Sequence, residues 1–199
     1  KGEYEGLSEK IVTKQWLPDY GPSQFMPTMG ATATGARSLL IAYNVNLNTD
    51  DKSMANTIAS MIRTSGSIVK DEDGVTMRDD DGKPVRNPGL FKKLQAAGWM
   101  YDDETAQVSM NLLDYSITGL HDVTDAIRNE AAKMGLTAVA GELVGLVPLD
   151  AMLGAGRHYN NGRDSNDVAL VQHAIHGLML DKLSDFDPSD NIIEWAIQT

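Results

Sequence analysis

A chain of 199 residues that is 42% hydrophobic is long enough to bury a core of its own, as one domain or as one domain plus a fragment. Its formal charge of −11 argues against nucleic acid and anionic membranes as main partners, and the absence of cysteine excludes disulfides and thiolate chemistry. The longest apolar run, Leu136 to Leu149, contains Glu142 and is too short to span a bilayer, and the polar stretch Lys1 to Lys14 does not read as a signal peptide.

Residues 1–17 predict a short helix or irregular arm, with Leu7, Ile11 and Val12 at helical spacing and Trp16 closing it. The stretch Pro18 to Arg37, PDYGPSQFMPTMGATATGAR, is then punctuated by Gly21, Gly30 and Gly35 and stiffened by Pro22 and Pro27. Phe25, Met26 and Met29 stand in a loop too short to be a core element. Such a loop suits a flat organic ligand, and equally a rigid crossing between two folded pieces.

From Leu39 to Leu47 a continuous apolar run passes into alternation, the pattern of a strand buried on both faces. Asn48-Thr49 is the expected cap of a helix with Asp50 and Asp51 in its first turn, Met54, Ile58, Met61 and Ile62 on one face, and Gly66 at its end. Ser67–Lys70 and Val75–Arg78 flank Asp73-Gly74, and Asp81-Gly82 follows before Pro84, which predicts an exposed hairpin arm. Its carboxylates lack the ligand spacing of a calcium loop, so no metal is expected there. Two strands follow, around Ala96–Tyr101 and Ala106–Leu113, then a helix capped by Thr118 and ended by Gly135, then a strand from Leu136 to Val147. Strand, helix, strand, strand, helix, strand predicts an α+β ferredoxin-like βαββαβ sandwich, its sheet antiparallel and both helices on one face. Short helices are expected after Pro148, over Asp167–Leu180 and after Asp187-Pro188. No internal repeat and no low-complexity tail is read.

Among candidate site residues, Glu142 interrupts an apolar strand, and a buried carboxylate needs a partner or an open site. It reads as a ligand for a substrate amine or amidine, against an edge-facing solvated Glu. His121 lies in the first turn of a helix, where the dipole would lower its pKa, and is read as a helix-surface histidine. His173 and His176 are spaced for zinc without a third ligand, and His158 is read as a surface neighbour of Tyr159. Lys92, Lys93 and Arg37 are the local cations for ligand carboxylates.

Several phrases in order along nearly the whole chain carry a more specific signal. They are Gly2-Glu3-Tyr4-Glu5, GPSQFMPTMGAT followed by GAR, LLIAYNVNL, KKLQAAGW, AQVSMNLLDY, the LVGLVPL run and FDPSDNIIEW. Together they resemble glutamate formiminotransferase, the folate-dependent enzyme often fused to a cyclodeaminase. The resemblance implies that residues 1–36 are the tail of the family's N-terminal subdomain with its folate loop, and that residues 37–199 are the C-terminal subdomain. It also implies a cytoplasmic enzyme of histidine degradation and one-carbon metabolism, which moves a formimino group from formiminoglutamate to tetrahydrofolate, the co-substrate, without a metal.

By the same resemblance Gly21, Pro22, Ser23, Gln24, Phe25, Met26, Pro27, Thr28, Met29 and Gly30 touch folate. Glu142 faces formiminoglutamate, at a place where the family carries a polar residue, often an amide. The family's catalytic histidine sits in the part of the first subdomain that this chain does not include, and none of the four histidines here occupies its motif. The chain alone is therefore expected to be inactive, a half-site whose partner is the missing N-terminal subdomain, with a homodimer as a further arrangement. The alternatives are a non-catalytic ferredoxin-like module that binds folate or a subunit, and a purely structural dimerisation domain.

Overall fold

The computed structural model describes residues 4–163, 165–183 and 186–197, with side chains from Gly6 onward. Gly2 and Glu3, which open the first family-like phrase, lie outside the described residues. The chain divides into two compact units, Lys1–Arg37 and Ser38–Thr199. In the first, helix α1 (Tyr4–Lys10) leads to a 3-10 turn at Lys14–Trp16, where the Lys10 ammonium lies 4.5 Å from the centre of the Trp16 ring. The remainder has no regular structure beyond a turn in which the amides of Met29 and Gly30 both donate to the Met26 carbonyl.

The second unit runs β1 (Ile41–Leu47), α2 (Lys52–Ile62), β2 (Ser67–Ile68), β3 (Arg86–Asn87), β4 (Leu94–Met100), β5 (Ala106–Leu112), α3 (Leu120–Lys133) and β6 (Ala138–Val144). Helices α4 (Leu149–Tyr159), α5 (Asp167–Gly177), α6 (Pro188–Asn191) and α7 (Ile193–Ala196) follow. The main sheet has the order β4-β5-β1-β6 and is antiparallel throughout, the ferredoxin-like arrangement that the βαββαβ order predicts.

Strand β1 is central and two-faced. Ile41, Tyr43, Val45 and Leu47 are buried against the helices, together with Val108, Met110 and Leu112 of β5. Asn44 and Asn46 necessarily point to the other face, because successive side chains alternate along a strand. Ala55, Ile58, Ala59 and Ile62 of α2 and Leu120, Val123, Ile127 and Ala131 of α3 complete the core on the helical side. Met61, expected on the apolar face of α2, is exposed.

The helix caps shift slightly from the sequence reading. Asp51, not Asn48-Thr49, caps α2, its carboxylate accepting from the Ser53 amide at 2.8 Å. Asp122 reaches back to the Gly119 amide at the start of α3 (2.8 Å), while the Thr118 hydroxyl donates instead to the Lys92 carbonyl. The outer edge of β6 is closed by the segment after α5: the Gly141 amide donates to the Met179 carbonyl, and the buried Tyr43 hydroxyl bridges the Thr124 hydroxyl and the Leu178 carbonyl. The last helical stretch breaks at Ile192, which pairs with Val147 in a parallel bridge.

The segment expected as a hairpin arm does pair antiparallel, β2 with β3 and Lys70 with Thr76 around Asp73-Gly74, but contrary to the sequence reading it is also an internal repeat. Gly66, Gly74 and Gly82 recur at eight-residue spacing, all in the left-handed region (φ 65, 78 and 74°). Three pairings follow the same spacing: Ile68 with Arg86, Lys70 with Thr76, and Arg78 with Pro84. At the junction the Val69 amide donates to Val85, Val85 to Met77 and Met77 to Val69, at 2.9, 2.9 and 3.0 Å, a closed ring of three hydrogen bonds. Asp71 and Asp79 each place one carboxylate oxygen on two backbone amides of their own turn. The carboxylates here hold turns together.

Two predictions follow from this packing. A Cβ on Gly141 would lie 2.1 Å from the Leu178 carbonyl, whereas one on Gly154 of α4 would meet nothing within 4 Å. Gly141→Ala should cost about 2 kcal/mol or more, and Gly154→Ala should stabilise by about 0.5–1 kcal/mol, both measured by denaturant unfolding. Deleting residues 71–86, two whole repeat units, should move Tm by no more than about 3 °C. Deleting residues 71–78 alone opens the ring and should make the remaining insert the first site of tryptic cleavage.

Candidate functional site

The face of the sheet opposite the helices carries a polar network where an apolar surface would be expected. Glu142 of β6 lies directly across from Asn44 of β1. Its Oε2 accepts from Asn44 Nδ2 at 2.9 Å and from Gln107 Nε2 at 2.8 Å, and Gln107 Nε2 also donates to Asn46 Oδ1 at 2.8 Å. Asn44 Oδ1 in turn accepts from the Met110 amide at 3.3 Å. Asn44, Asn46 and Gln107 are buried, while Glu142 is half-buried.

Beside Glu142 lies an open depression of about 450 Å³, walled by Trp99, Tyr101 and Val144 and floored by Asn44, Gln107 and Ser109. Trp99 is 60% exposed and Tyr101 46%, so both present aromatic surface to solvent. The Lys52 ammonium sits 5.1 Å from the Trp99 ring centre. A smaller cavity of about 140 Å³ continues past Tyr101 and Glu142 toward Leu180, Leu183 and Phe186. Among the described residues no Lys, Arg or His forms an ion pair with Glu142. Flat apolar walls around a fixed anion suit a planar, cationic or N–H-rich ligand.

The sequence-derived loop residues Gly21, Pro22, Ser23, Gln24, Phe25, Met26, Pro27, Thr28, Met29 and Gly30 all belong to the first unit. They are exposed except for Phe25 and Gly30, which are half-buried. Gly21 (φ 89°) and Gly30 (φ 61°) mark its two ends with left-handed backbone, which explains glycine at both. Lys92 and Lys93 hold backbone in place, their carbonyls accepting from Thr118 and from the Leu113 amide, with Lys93 at φ 56°.

The histidines lie elsewhere. His121 and His158 stack at 4.7 Å within the helical layer, the side of the sheet that faces away from Glu142. His158 Nε2 lies 2.7 Å from Asp125 Oδ2, Tyr159 donates to Asp125 Oδ1 at 3.2 Å, and Arg128 joins Asp125 to the Gly177 carbonyl. Burial lowers the pKa of His121 and neighbouring His158 adds to this, while Asp122 and Asp125 oppose it. Its Nδ1 is buried without a hydrogen-bond partner among the described residues, folded over Gly119. His176 faces Asp181 at 3.5 Å on an exposed surface. His121, read as a surface residue, is thus half-buried in a cluster that sequence spacing did not assemble.

The class that fold and site define is a ferredoxin-like α+β domain with an amide-held carboxylate on its sheet face. The comparisons give that class its family. Residues 42–198 match the profile of the formiminotransferase domain, and residues 1–37 match that of its N-terminal subdomain. The chain belongs to the formiminotransferase family. It is 41% identical over 201 residues to the formimidoyltransferase-cyclodeaminase of Rattus norvegicus, covering 98% of this chain and 34% of that protein. The Dictyostelium discoideum formimidoyltransferase-cyclodeaminase is also 41% identical, over 100% of this chain and 34% of its own length. The Streptococcus pyogenes glutamate formimidoyltransferase is 36% identical over 80% of this chain and 46% of its own length. The chain thus spans about a third of the length of the first two of these relatives. Among the described residues no helix is long and apolar enough to cross a membrane.

The His121 cluster gives a pH prediction. A histidine whose folded pKa lies below its unfolded value of 6.5 binds fewer protons when folded, so stability falls as pH drops below about 6.5. Melting curves from pH 7.5 to 5 should show that decline. His121→Gln should remove part of the slope in this window and leave the later decline below pH 4 unchanged.

Proposed function

We propose that the chain supplies the folate-binding half of a glutamate formimidoyltransferase, acting in the cytoplasm in histidine degradation. In this reading the formimino group of formiminoglutamate passes to tetrahydrofolate, its co-substrate. The observation that carries the reading is Glu142: a half-buried carboxylate held by two side-chain amides, with no protein cation among the described residues, beside an aromatic-walled depression. The formimino donor is a planar amidinium, and an anion so placed is suited to holding it. Gly21 to Gly30 contact folate. Phe25 and the methionines offer soft faces to a pteridine or aminobenzoyl ring, and Ser23, Gln24 and Thr28 offer polar contacts.

The reaction also needs a proton shuttle and stabilisation of a tetrahedral intermediate. The placement of the histidines supports an outside source for the shuttle: His121 and His158 are engaged in the helical layer, and His173 and His176 lie on α5. Residues 1–36 act as the end of an N-terminal subdomain and residues 37–199 as the C-terminal one, with the rest of the N-terminal subdomain as partner. The chain alone should therefore turn over no substrate.

The test compares the chain with the product of its full reading frame in a formimino-transfer assay with tetrahydrofolate. Transfer only by the longer protein supports the reading, whereas folate binding without any transfer would favour a non-catalytic module. In the active protein, Phe25→Ala should weaken folate binding about tenfold or more, roughly the contribution of one aromatic contact, with Tm nearly unchanged. Parallel losses of Tm and affinity would assign the loop to structure.

A further inference from the structure

We infer that Arg63 and Arg86 form an oxyanion-binding site at the root of the inserted repeat, and that its ligand is a small dianion of the phosphate type. Arg63 caps the end of α2 and Arg86 lies in β3, and both side chains converge on one backbone atom. The Gly66 carbonyl accepts from Arg63 Nε at 3.1 Å and from Arg86 Nη1 at 3.2 Å. Arg63 Nη1 also donates to the Ala96 carbonyl at 3.3 Å, and Arg86 Nη1 to the Ser65 carbonyl at 3.2 Å. The backbone beneath them is closely fitted. A Cβ on Gly66 would collide with the Asn87 carbonyl, and one on Gly89 with the carbonyl of Arg63. The two guanidinium groups are thus held side by side on backbone with little room to move.

Two like charges so placed repel, and no carboxylate relieves them. Among the described residues neither Arg63 nor Arg86 forms an ion pair, although the chain carries 28 Asp and Glu against 17 Lys and Arg. Burial lowers the pKa of Arg63, and the neighbouring Arg86 charge lowers it further. The hydrogen bonds of the pair go to carbonyls, which are dipoles without net charge, so they orient the two forks without neutralising them. Donors are also left over: Nη2 of both arginines and Nε of Arg86 have no acceptor among the described residues. A tetrahedral dianion supplies what the pair lacks, two negative charges and several acceptor oxygens for planar forks. A single carboxylate would match one of the two charges. When filled, the site ties the insert to the end of α2 and to β4, where Arg63 already reaches Ala96.

The experiment is calorimetric titration of the full-length protein with sodium phosphate, against sodium chloride and L-glutamate at matched ionic strength, followed by thermal melts. Wild-type protein should bind phosphate with a Kd in the millimolar range or tighter. Arg63→Gln and Arg86→Gln should each weaken that binding about tenfold or more, the scale of one charge-assisted hydrogen bond. Arg63 also holds the Ala96 carbonyl, so the exposed Arg86 gives the cleaner variant. Without phosphate, Arg86→Gln should melt at the wild-type temperature or above it, because it relieves repulsion. With phosphate, the wild type should melt higher than the variant. Arginines that serve only the carbonyls predict a different pattern: Arg86→Gln lowers Tm alike with and without phosphate, and both variants keep the wild-type phosphate heat. That pattern overturns the site. Equal effects of phosphate and chloride overturn it as general screening, and tighter binding of L-glutamate than of phosphate overturns the assignment of a dianion.

Discussion

The division of β1 into an apolar face and an amide-bearing face is the constraint on which the second unit depends. Ile41, Tyr43, Val45 and Leu47 hold the helical layer, while Asn44 and Asn46, on alternate positions of the same strand, carry the polar network. Because the side-chain period of a strand is two, neither set can move without the other: a slip of one residue would turn the amides into the apolar core and the apolar set onto the opposite face. The antiparallel neighbours follow the same division, Val108 and Met110 turned to the core and Gln107 to the opposite face, with Glu142 across from Asn44. The register that builds the core also places Glu142 among its amide donors.

Buried amides on a sheet face are costly unless every donor and acceptor is used, and here the network ends on an anion. In the proposed function that anion is what meets the donor. The remaining ionisable clusters have local tasks. Asp125 gathers His158, Tyr159 and Arg128 where α3, α4 and the end of α5 meet, and Asp71 and Asp79 fold the turns of the eight-residue repeat. The acidic balance of the chain is thus spread over turns, caps and one carboxylate beside a depression.

Much of this was legible in the sequence. Hydrophobic period and turn residues gave the βαββαβ order and the antiparallel sheet, because those signals are local. Glu142 stood out because a charge interrupted an apolar strand. Its partners were harder to see. Asn44 and Asn46 alternate visibly with Tyr43 and Val45, and Gln107 alternates with Ala106 and Val108, but only strand register brings the three together. The eight-residue repeat escaped because only Gly66, Gly74 and Gly82 are identical in all three units, with the basic Lys70, Arg78 and Arg86 recurring beside them, while Asp71 and Asp79 mark just two units. The His121–His158 stack joins helices far apart in sequence, which no spacing rule reaches.

The most direct measurement is side-chain amide NMR during titration with formamidinium, the smallest cation with the geometry of the formimino group. Binding of the cation at Glu142 predicts that the side-chain NH₂ signals of Asn44 and Gln107 shift together in wild-type protein and stay still in Glu142→Gln. Shifts that spare both residues, or that persist unchanged in Glu142→Gln, would contradict the assignment of the open sheet face as the donor site.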